Sequence, residues 1–448
     1  MFTSIDPATG TPGASFAELT AAELETKVQR AHDAFRDWRT TDYATRTDLL
    51  ERIAEQFDAN AHRLAEIATR EMGKTLKSAL AEVEKCAAGF RHYAQEGPAM
   101  LAPRPFPGGT ATWHPMGPVL AVMPWNFPYW QVVRFLAPTI MAGNVGLLKH
   151  ASNVQGVAAA IEEMVIAAGA PAGLFQNLPI KSDKVAALIA DDRIVAVTLT
   201  GSEGAGMQVA EAAGRALKKV VLELGGSDPF IVMPSADLDL AAKTAVTARI
   251  QNTGQSCICA KRMIVHAEVY DAFLEKFAAG MKAVVAGDPM DSATDMGPLS
   301  SEAQRQTVLD QIAMIEAEGG KRLFGGEALP GNGAFMSAGI LVDVPTDHAV
   351  AQEELFGPVA MLFKADDIDA GITLANAVPF GLGSSIWTND AEERARFERD
   401  IEAGMIAVNA MLASLPHAPF GGIKRSGHGR ELGPYGLHEF MNLKTVLG

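Results

Sequence analysis

Apolar positions recur at helical spacing through the first part of the chain. Leu49, Leu50, Ile53 and Phe57 form one stripe, and Leu76, Leu80, Val83, Ala87 and Phe90 form another. Between them Gly73 and Thr75 read as a helix stop and a fresh N-cap. A Pro/Gly-rich stretch from Gly97 to Gly109 then interrupts the period and marks a boundary or crossing segment. From Trp113 the texture changes. Short apolar runs at Val119–Met123, Val145–Lys149, Ile194–Thr200, Val220–Leu224 and Phe230–Met233 read as strands. They alternate with helical patterns at Phe135–Ala142, Val154–Ala168 and Gly204–Leu217. A helix from Asp237 to about Arg249, a strand at Met263–His266 and a helix over Val269–Val285 follow, and the chain ends in the extended run Phe440–Leu447. Alternation of this kind predicts a buried parallel sheet with helices on both faces. Two α/β lobes plus one small extra element are expected, with no internal repeat.

Composition narrows the function class. With 48% hydrophobic and 20% charged residues over 448 positions, the chain is an ordinary globular protein of more than one domain. Lys and Arg total 38 against 53 acids, a net charge of −15 that repels nucleic-acid phosphates and anionic lipid. No apolar stretch approaches the roughly eighteen residues of a membrane span, and the start, Met1-Phe-Thr-Ser-Ile-Asp6, lacks the pattern of a secretory signal. The 3 cysteines, Cys86, Cys257 and Cys259, suit a reducing compartment. A soluble cytoplasmic protein without nucleic-acid or membrane partners is expected.

Candidate chemistry lies in short segments. In Gln251-Asn-Thr-Gly-Gln-Ser-Cys-Ile-Cys259, Cys257 follows a predicted helix and small polar residues. It reads either as a nucleophile on a turn or as the buried small hydrophobe that cysteine often is. The Cys257/Cys259 pair lacks the further nearby ligands that zinc requires, so no metal is expected. Cys259 is close enough to act as a resolving thiol, a redox-switch candidate, or is simply a packed strand residue. Glu223, in Leu222-Glu-Leu-Gly-Gly226, ends an apolar strand and reads as a general base with a raised pKa or as an ordinary strand-end acid. Asn126, in Pro124-Trp-Asn-Phe-Pro128, sits in a loop stiffened by prolines, where its amide can face a developing oxyanion or merely order a turn. The loop Thr200–Gly206 joins a strand to a helix N-terminus, a place suited to phosphate, without the Gly-x-Gly-x-x-Gly spacing.

In chain order, Pro124–Pro128, Leu148-Lys149, Leu199-Thr-Gly-Ser202, Leu222–Gly226, Gly254-Gln-Ser-Cys257, Glu353-Glu-Leu-Phe-Gly-Pro358 and Pro419-Phe-Gly-Gly-Ile-Lys-Arg-Ser-Gly427 resemble the NAD(P)-dependent aldehyde dehydrogenase superfamily over essentially the whole length. The resemblance implies an aldehyde-dehydrogenase-like α/β fold. A Rossmann-like cofactor domain would occupy 1–98 and 117–225, and a catalytic domain 226–433, its last part returning to the cofactor domain. A small β oligomerisation element would comprise 99–116 and 434–448. It further implies Cys257 as nucleophile, Asn126 in the oxyanion site and Glu223 as the base that activates water. Trp125, Lys149, Ser152, Gly201, Ser202, Glu354 and Phe356 fall on cofactor-binding positions.

At Ser152 many NAD-preferring members carry a ribose-binding glutamate. Its absence removes repulsion of a 2′-phosphate that Lys149 can pair, so NADP is expected over NAD. Where many members have a Gly-x-x-x-Gly loop, this chain has Asn177-Leu-Pro-Ile-Lys-Ser-Asp-Lys184, which puts Ser182 or Lys184 near the phosphate. Arg134 matches the arginine that succinate-semialdehyde dehydrogenases use for the distal carboxylate; alone it reads as a plain salt bridge. Gln251 stands where others carry a second arginine, Ser414 is a hydroxyl contact, and His417 is either a contact or a solvated loop residue. The compact bacterial succinate-semialdehyde branch is the nearest resemblance, carried by Lys149-His-Ala-Ser-Asn153 and Gly429-Arg-Glu-Leu-Gly433. Oxidation of succinate semialdehyde through a cysteine thioester is therefore expected, by a homodimer or homotetramer. A broad-range aliphatic enzyme, a coenzyme A-acylating member and a non-catalytic scaffold are the alternatives.

Overall fold

The computed structural model describes residues 1–346 and 348–448. Its first large sheet is built on the strand Pro118–Met123. Val145–His150 and then Phe175–Asn177 lie on one side of it, Ala196–Thr200 and then Lys219–Glu223 on the other, all parallel. Strand order therefore reverses beside Pro118–Met123, and the carboxyl ends of the strands on both sides open into one crevice, the place where open α/β sheets bind ligands. Every cofactor segment expected before Glu223 emerges at those ends. Gly427–His428 adds an antiparallel strand on the outer edge of Lys219–Glu223, so a late piece of the chain returns to the first sheet.

The second sheet has seven strands, from Lys321–Phe324 at one edge to Met405–Val408 at the other, with Pro229–Val232 and Arg262–His266 inside it. Its inner strands are buried on both faces. Phe230, Val232, Met263 and Val265 enter one core while Ile231 and Ile264 enter the other, the period-two consequence of the pleat. A three-stranded sheet pairs Met441–Leu447 with Gly109–Pro115 and the latter with Arg104–Phe106. Among the described residues no helix is long and apolar enough to cross a membrane.

Several boundaries differ from the sequence expectation, two of them for reasons remote in sequence. The chain opens on a hairpin, Phe2–Ile5 with Pro12–Phe16, before any helix. The helix expected to stop at Gly97 runs over Leu76–Met100 and contains Pro98. A proline removes the donor to the carbonyl four residues back, and the Ala94 carbonyl instead accepts from Thr47 Oγ1 at 3.1 Å. The helix expected from Phe135 begins at Trp130, because Glu82 Oε1 accepts both the Tyr129 and Trp130 N–H groups at 2.8 Å. A carboxylate from another helix thus caps it, satisfying donors no local residue reaches.

Candidate active site

Helix Leu238–Ile250 ends in a left-handed run at Asn252, Thr253 and Gly254, with φ of 56°, 58° and 73°. For a β-branched threonine this conformation costs on the order of 1–3 kcal/mol and persists only where the surroundings fix it. Here they do. Thr253 Oγ1 donates to the Gly297 carbonyl at 3.1 Å, and Asn252 Nδ2 to the Asn126 carbonyl at 2.7 Å. The buried Arg249 guanidinium holds the carbonyls of Gly254 and Gly357 at 2.9 and 2.6 Å. Lys261, equally buried, donates to the carbonyls of Ser256 and Cys257, both at 2.7 Å. A Cβ at Gly254 would collide with the Gly357 carbonyl. The strained turn lifts Cys257 out of the core, leaving it partly accessible while Cys86 and Cys259 stay buried.

Around the thiol, Asn126 is buried and its Nδ2 donates to the Gln255 carbonyl at 3.1 Å, leaving its second hydrogen unengaged. The Cys257 N–H finds no acceptor among the described residues. The spare Asn126 amide hydrogen and the Cys257 N–H are two donors of the kind an oxyanion site requires. The Asn126 loop is tied down by His150, which caps Ala151 N–H through Nδ1 and meets the Pro128 carbonyl through Nε2 at 2.9 Å. Burial pushes His150 down to about 4, so it is a neutral fastener. Burial also pushes the Cys257 thiol up to about 12, against the pull of Arg134 and Lys261.

Glu223 ends its strand as expected, and the Gly226 that follows packs against Cys257: a Cβ there would stand 2.8 Å from the Cys257 carbonyl oxygen. Its carboxyl, however, lies beneath the backbone of Gly421, is not among the residues lining the thiol's cavity, and has no hydrogen-bond partner on either oxygen. Burial and the neighbouring Glu431 carboxylate hold it well above the usual carboxylate range, opposed by Arg134 and Arg430. Arg134 itself is buried, ion-paired with Glu431, bonded to Thr200 Oγ1 at 3.1 Å, and stacked 4.6 Å from the Phe420 ring centroid.

A cavity of about 320 Å³ joins Cys257 to Arg134, Gln251, Ser414, Trp130 and Lys85. Ser414 Oγ accepts from Trp130 Nε1 at 2.9 Å, which keeps its own hydroxyl proton available. The sequence-predicted contacts Arg134, Gln251 and Ser414 thus share one cavity with the nucleophile. His417 is exposed on a loop outside it. Cys259 lies outside as well, its thiol turned to the Gln251 carbonyl at 3.5 Å. Lys85, Glu431, Arg249 and Lys261 were not singled out from sequence. For Lys85 a signal exists: Ser78, Ala81, Glu82 and Lys85 fall on one helical face and all line the cavity.

At the crevice, Lys149 ends the strand Val145–His150, half-buried and with no carboxylate in ion-pair contact among the described residues; desolvation lowers its pKa. Ser152 beside it is exposed. Ser202 caps the helix Glu203–Arg215, whose N-terminus opens beside Gly201. Trp125 and Phe356 meet edge to face at 5.8 Å, and Glu354 pairs with Lys261 at 3.0 Å. An unpaired lysine, a helix N-terminus and an aromatic pair are groups of the kind that fit a phosphorylated dinucleotide. Lys184 is engaged elsewhere, with Glu18 at 2.9 Å and the Leu19 carbonyl at 3.2 Å.

Residues 1–446 match the Aldehyde dehydrogenase family. The chain belongs to that family. It is 51% identical over 451 residues to a succinate-semialdehyde dehydrogenase [NADP(+)] of Mycolicibacterium paratuberculosis, covering 99% of this chain and 96% of the relative. A Mycobacterium tuberculosis succinate-semialdehyde dehydrogenase [NADP(+)] 1 is 50% identical over 450 residues, covering 99% and 98%. A crystal structure of the Streptococcus pyogenes succinic semialdehyde dehydrogenase in complex with NADP+ superposes with a TM-score of 0.97 at 38% identity, over 100% of this chain and 99% of the other. The α/β fold expected from sequence is the aldehyde dehydrogenase fold, and the chain is an NAD(P)-dependent aldehyde dehydrogenase.

Proposed function

We propose that this dehydrogenase oxidises succinate semialdehyde to succinate with NADP+. The observation that carries the substrate is the shared cavity: a guanidinium, a hydroxyl and an amide, Arg134, Ser414 and Gln251, face the same space as the Cys257 sulfur. Guanidinium matches carboxylate in charge and planar geometry. Arg134 serves two partners, since it also neutralises Glu431; truncating it strands a buried carboxylate at a cost of about 3–5 kcal/mol.

The Cys257 thiol releases its proton to solvent, and the thiolate Sγ bonds to the aldehyde carbon; the resulting oxyanion is held by Asn126 Nδ2–H and the Cys257 N–H. Covalent capture makes that carbon tetrahedral, the state from which its hydrogen departs with an electron pair. Lys149, Ser152, Gly201, Ser202, Trp125, Glu354 and Phe356 would hold NADP+, which would supply the two-electron oxidant for that departure. The cysteine thioester that remains is attacked by water, whose proton passes to Glu223, and the C–S bond breaks to release the acid and the thiolate. A carboxyl with no hydrogen-bond partner gives up none in turning toward Cys257. Retention of this base favours hydrolysis over transfer to coenzyme A.

The two smaller segments suit assembly. Met441–Leu447 forms the outer edge of its sheet with Leu443, Val446 and Leu447 exposed, and an unpaired apolar edge invites another strand. A homodimer or homotetramer is the expected state, with a mass in light scattering about two or four times 47.4 kDa; a monomer would leave the edge strand without this role. The free cysteines suit work in a reducing cytoplasm.

A panel of aldehydes with and without a terminal carboxylate, run with both dinucleotides, tests the reading. The expected kcat/KM for succinate semialdehyde exceeds that for butanal by about tenfold or more, and NADP+ exceeds NAD+ by a similar factor, as one charge-assisted contact predicts. Coenzyme A leaves the rate unchanged. Equal efficiency with butanal removes the substrate, and preference for NAD+ removes the cofactor.

A further inference from the structure

The cavity beside Cys257 contains a second cation, Lys85. It comes from the helix Leu76–Met100, and its ammonium sits 4.3 Å from the Trp130 ring centroid. No carboxylate pairs with it among the described residues. The charges around it are already matched. Glu82, three residues earlier on the same helix, is ion-paired with the buried Lys74, and its other oxygen accepts two backbone N–H groups. Arg134 is ion-paired with Glu431. Charge accounting over the lining therefore leaves Lys85 as its one uncompensated charge, a single positive that complements a monoanion.

We propose that Lys85 is the second anchor of the substrate carboxylate, acting with Arg134 across a cavity in which Gln251 contributes only a neutral amide. The inference rests on the carboxylated-aldehyde reading above. The Trp130 face holds the ammonium in place through a cation–π contact and turns its donors to the cavity. A half-buried, unpaired ammonium also gains more from a carboxylate than an exposed one does.

Lys85 titrates within reach. Burial pushes it down to about 8; Arg134 on the facing helix and Lys74 add to that push, while Cys86 and Glu82 on its own helix oppose it. Below about pH 8 the free enzyme carries the charge; above it the charge is lost. KM for succinate semialdehyde therefore rises as pH climbs past about 8, whereas KM for butanal does not follow it.

The experiment uses the full-length enzyme with saturating NADP+, and reads the ratio of kcat/KM for succinate semialdehyde to that for butanal. In Lys85→Met this ratio falls about 10- to 30-fold, the size of one charge-assisted contact. In Lys85→Arg it stays within about threefold. A wild-type ratio near one overturns the substrate reading and this inference with it. A high wild-type ratio that survives Lys85→Met overturns the inference alone. Should the methionine variant not fold, the wild-type pH profile decides: a semialdehyde KM that stays parallel to that of butanal across about pH 7–9.5 overturns the role of Lys85.

Discussion

Cys257→Ala lowers kcat/KM for aldehyde oxidation by roughly 10⁴-fold or more while NADP+ still binds within about twofold of the wild-type affinity. The size follows from the role: without the sulfur the aldehyde carbon stays trigonal, and every later step needs the bond that sulfur makes. Retained cofactor binding follows from geometry, because the crevice residues Lys149 and Ser202 project from other strand ends. Folding should survive, since the methyl group is smaller than the thiol and the turn is held by Arg249, Lys261 and Asn252 through carbonyls that alanine keeps. Stopped-flow reduction of NADP+ and a titration of cofactor binding, on the same preparation, are the measurements. Turnover within tenfold of wild type would end the thioester mechanism.

The strength of that dependence reflects how the loop was made. Thr253 adopts a conformation that a β-branched residue avoids, and two buried cations, Arg249 and Lys261, enforce the turn through main-chain oxygens. A sequence reader sees Gly254-Gln-Ser-Cys257 and suspects a turn. The enforcing residues, Arg249 and Lys261, look like a helix-end arginine and a strand-leading lysine. Their action runs through carbonyl groups, which every residue has, so side-chain spelling carries no trace of it.

The same distinction separates what was legible elsewhere. The parallel strands Val145–His150 and Ala196–Thr200 were plain, because a strand buried on both faces reads as a short, mostly apolar run. Helices whose caps are local, such as Leu76–Met100 after Thr75, began where their own residues said. The helix at Trp130 did not, because its cap is Glu82. Arg134 was found through resemblance, but its pairing with Glu431 depends on the late segment that returns to the first sheet beside Lys219–Glu223, a contact far away in sequence. Lys85 was hidden for the opposite reason. A lysine in a mixed helix reads as solvent-facing, and only the packing of Trp130 and Phe127 shows that the stripe Ser78, Ala81, Glu82 and Lys85 lines a cavity.

Glu223→Gln separates the two halves of the reaction. A burst of NADPH equal to the enzyme present is expected, followed by steady turnover slower than wild type by about 10³-fold, within the range general-base assistance supplies. Mass spectrometry of the quenched burst should find the succinyl group on Cys257. Glutamine keeps the shape of the side chain and removes the base; burial and the Glu431 carboxylate raise the Glu223 pKa, and Arg134 and Arg430 pull it back. The sign of the pH dependence follows. Water activation needs the deprotonated form, which is scarce below the raised pKa and accumulates above it, so wild-type steady turnover climbs with pH over a range above the ordinary carboxylate one. Glu223→Gln should lose that climb while its burst remains. Glu431→Gln should move the wild-type climb to lower pH by removing the neighbouring negative charge, with the Arg134 charge then freed to favour the Glu223 carboxylate as well. A Glu223→Gln enzyme that turns over steadily at the wild-type rate, with the wild-type pH profile, would place water activation on another group.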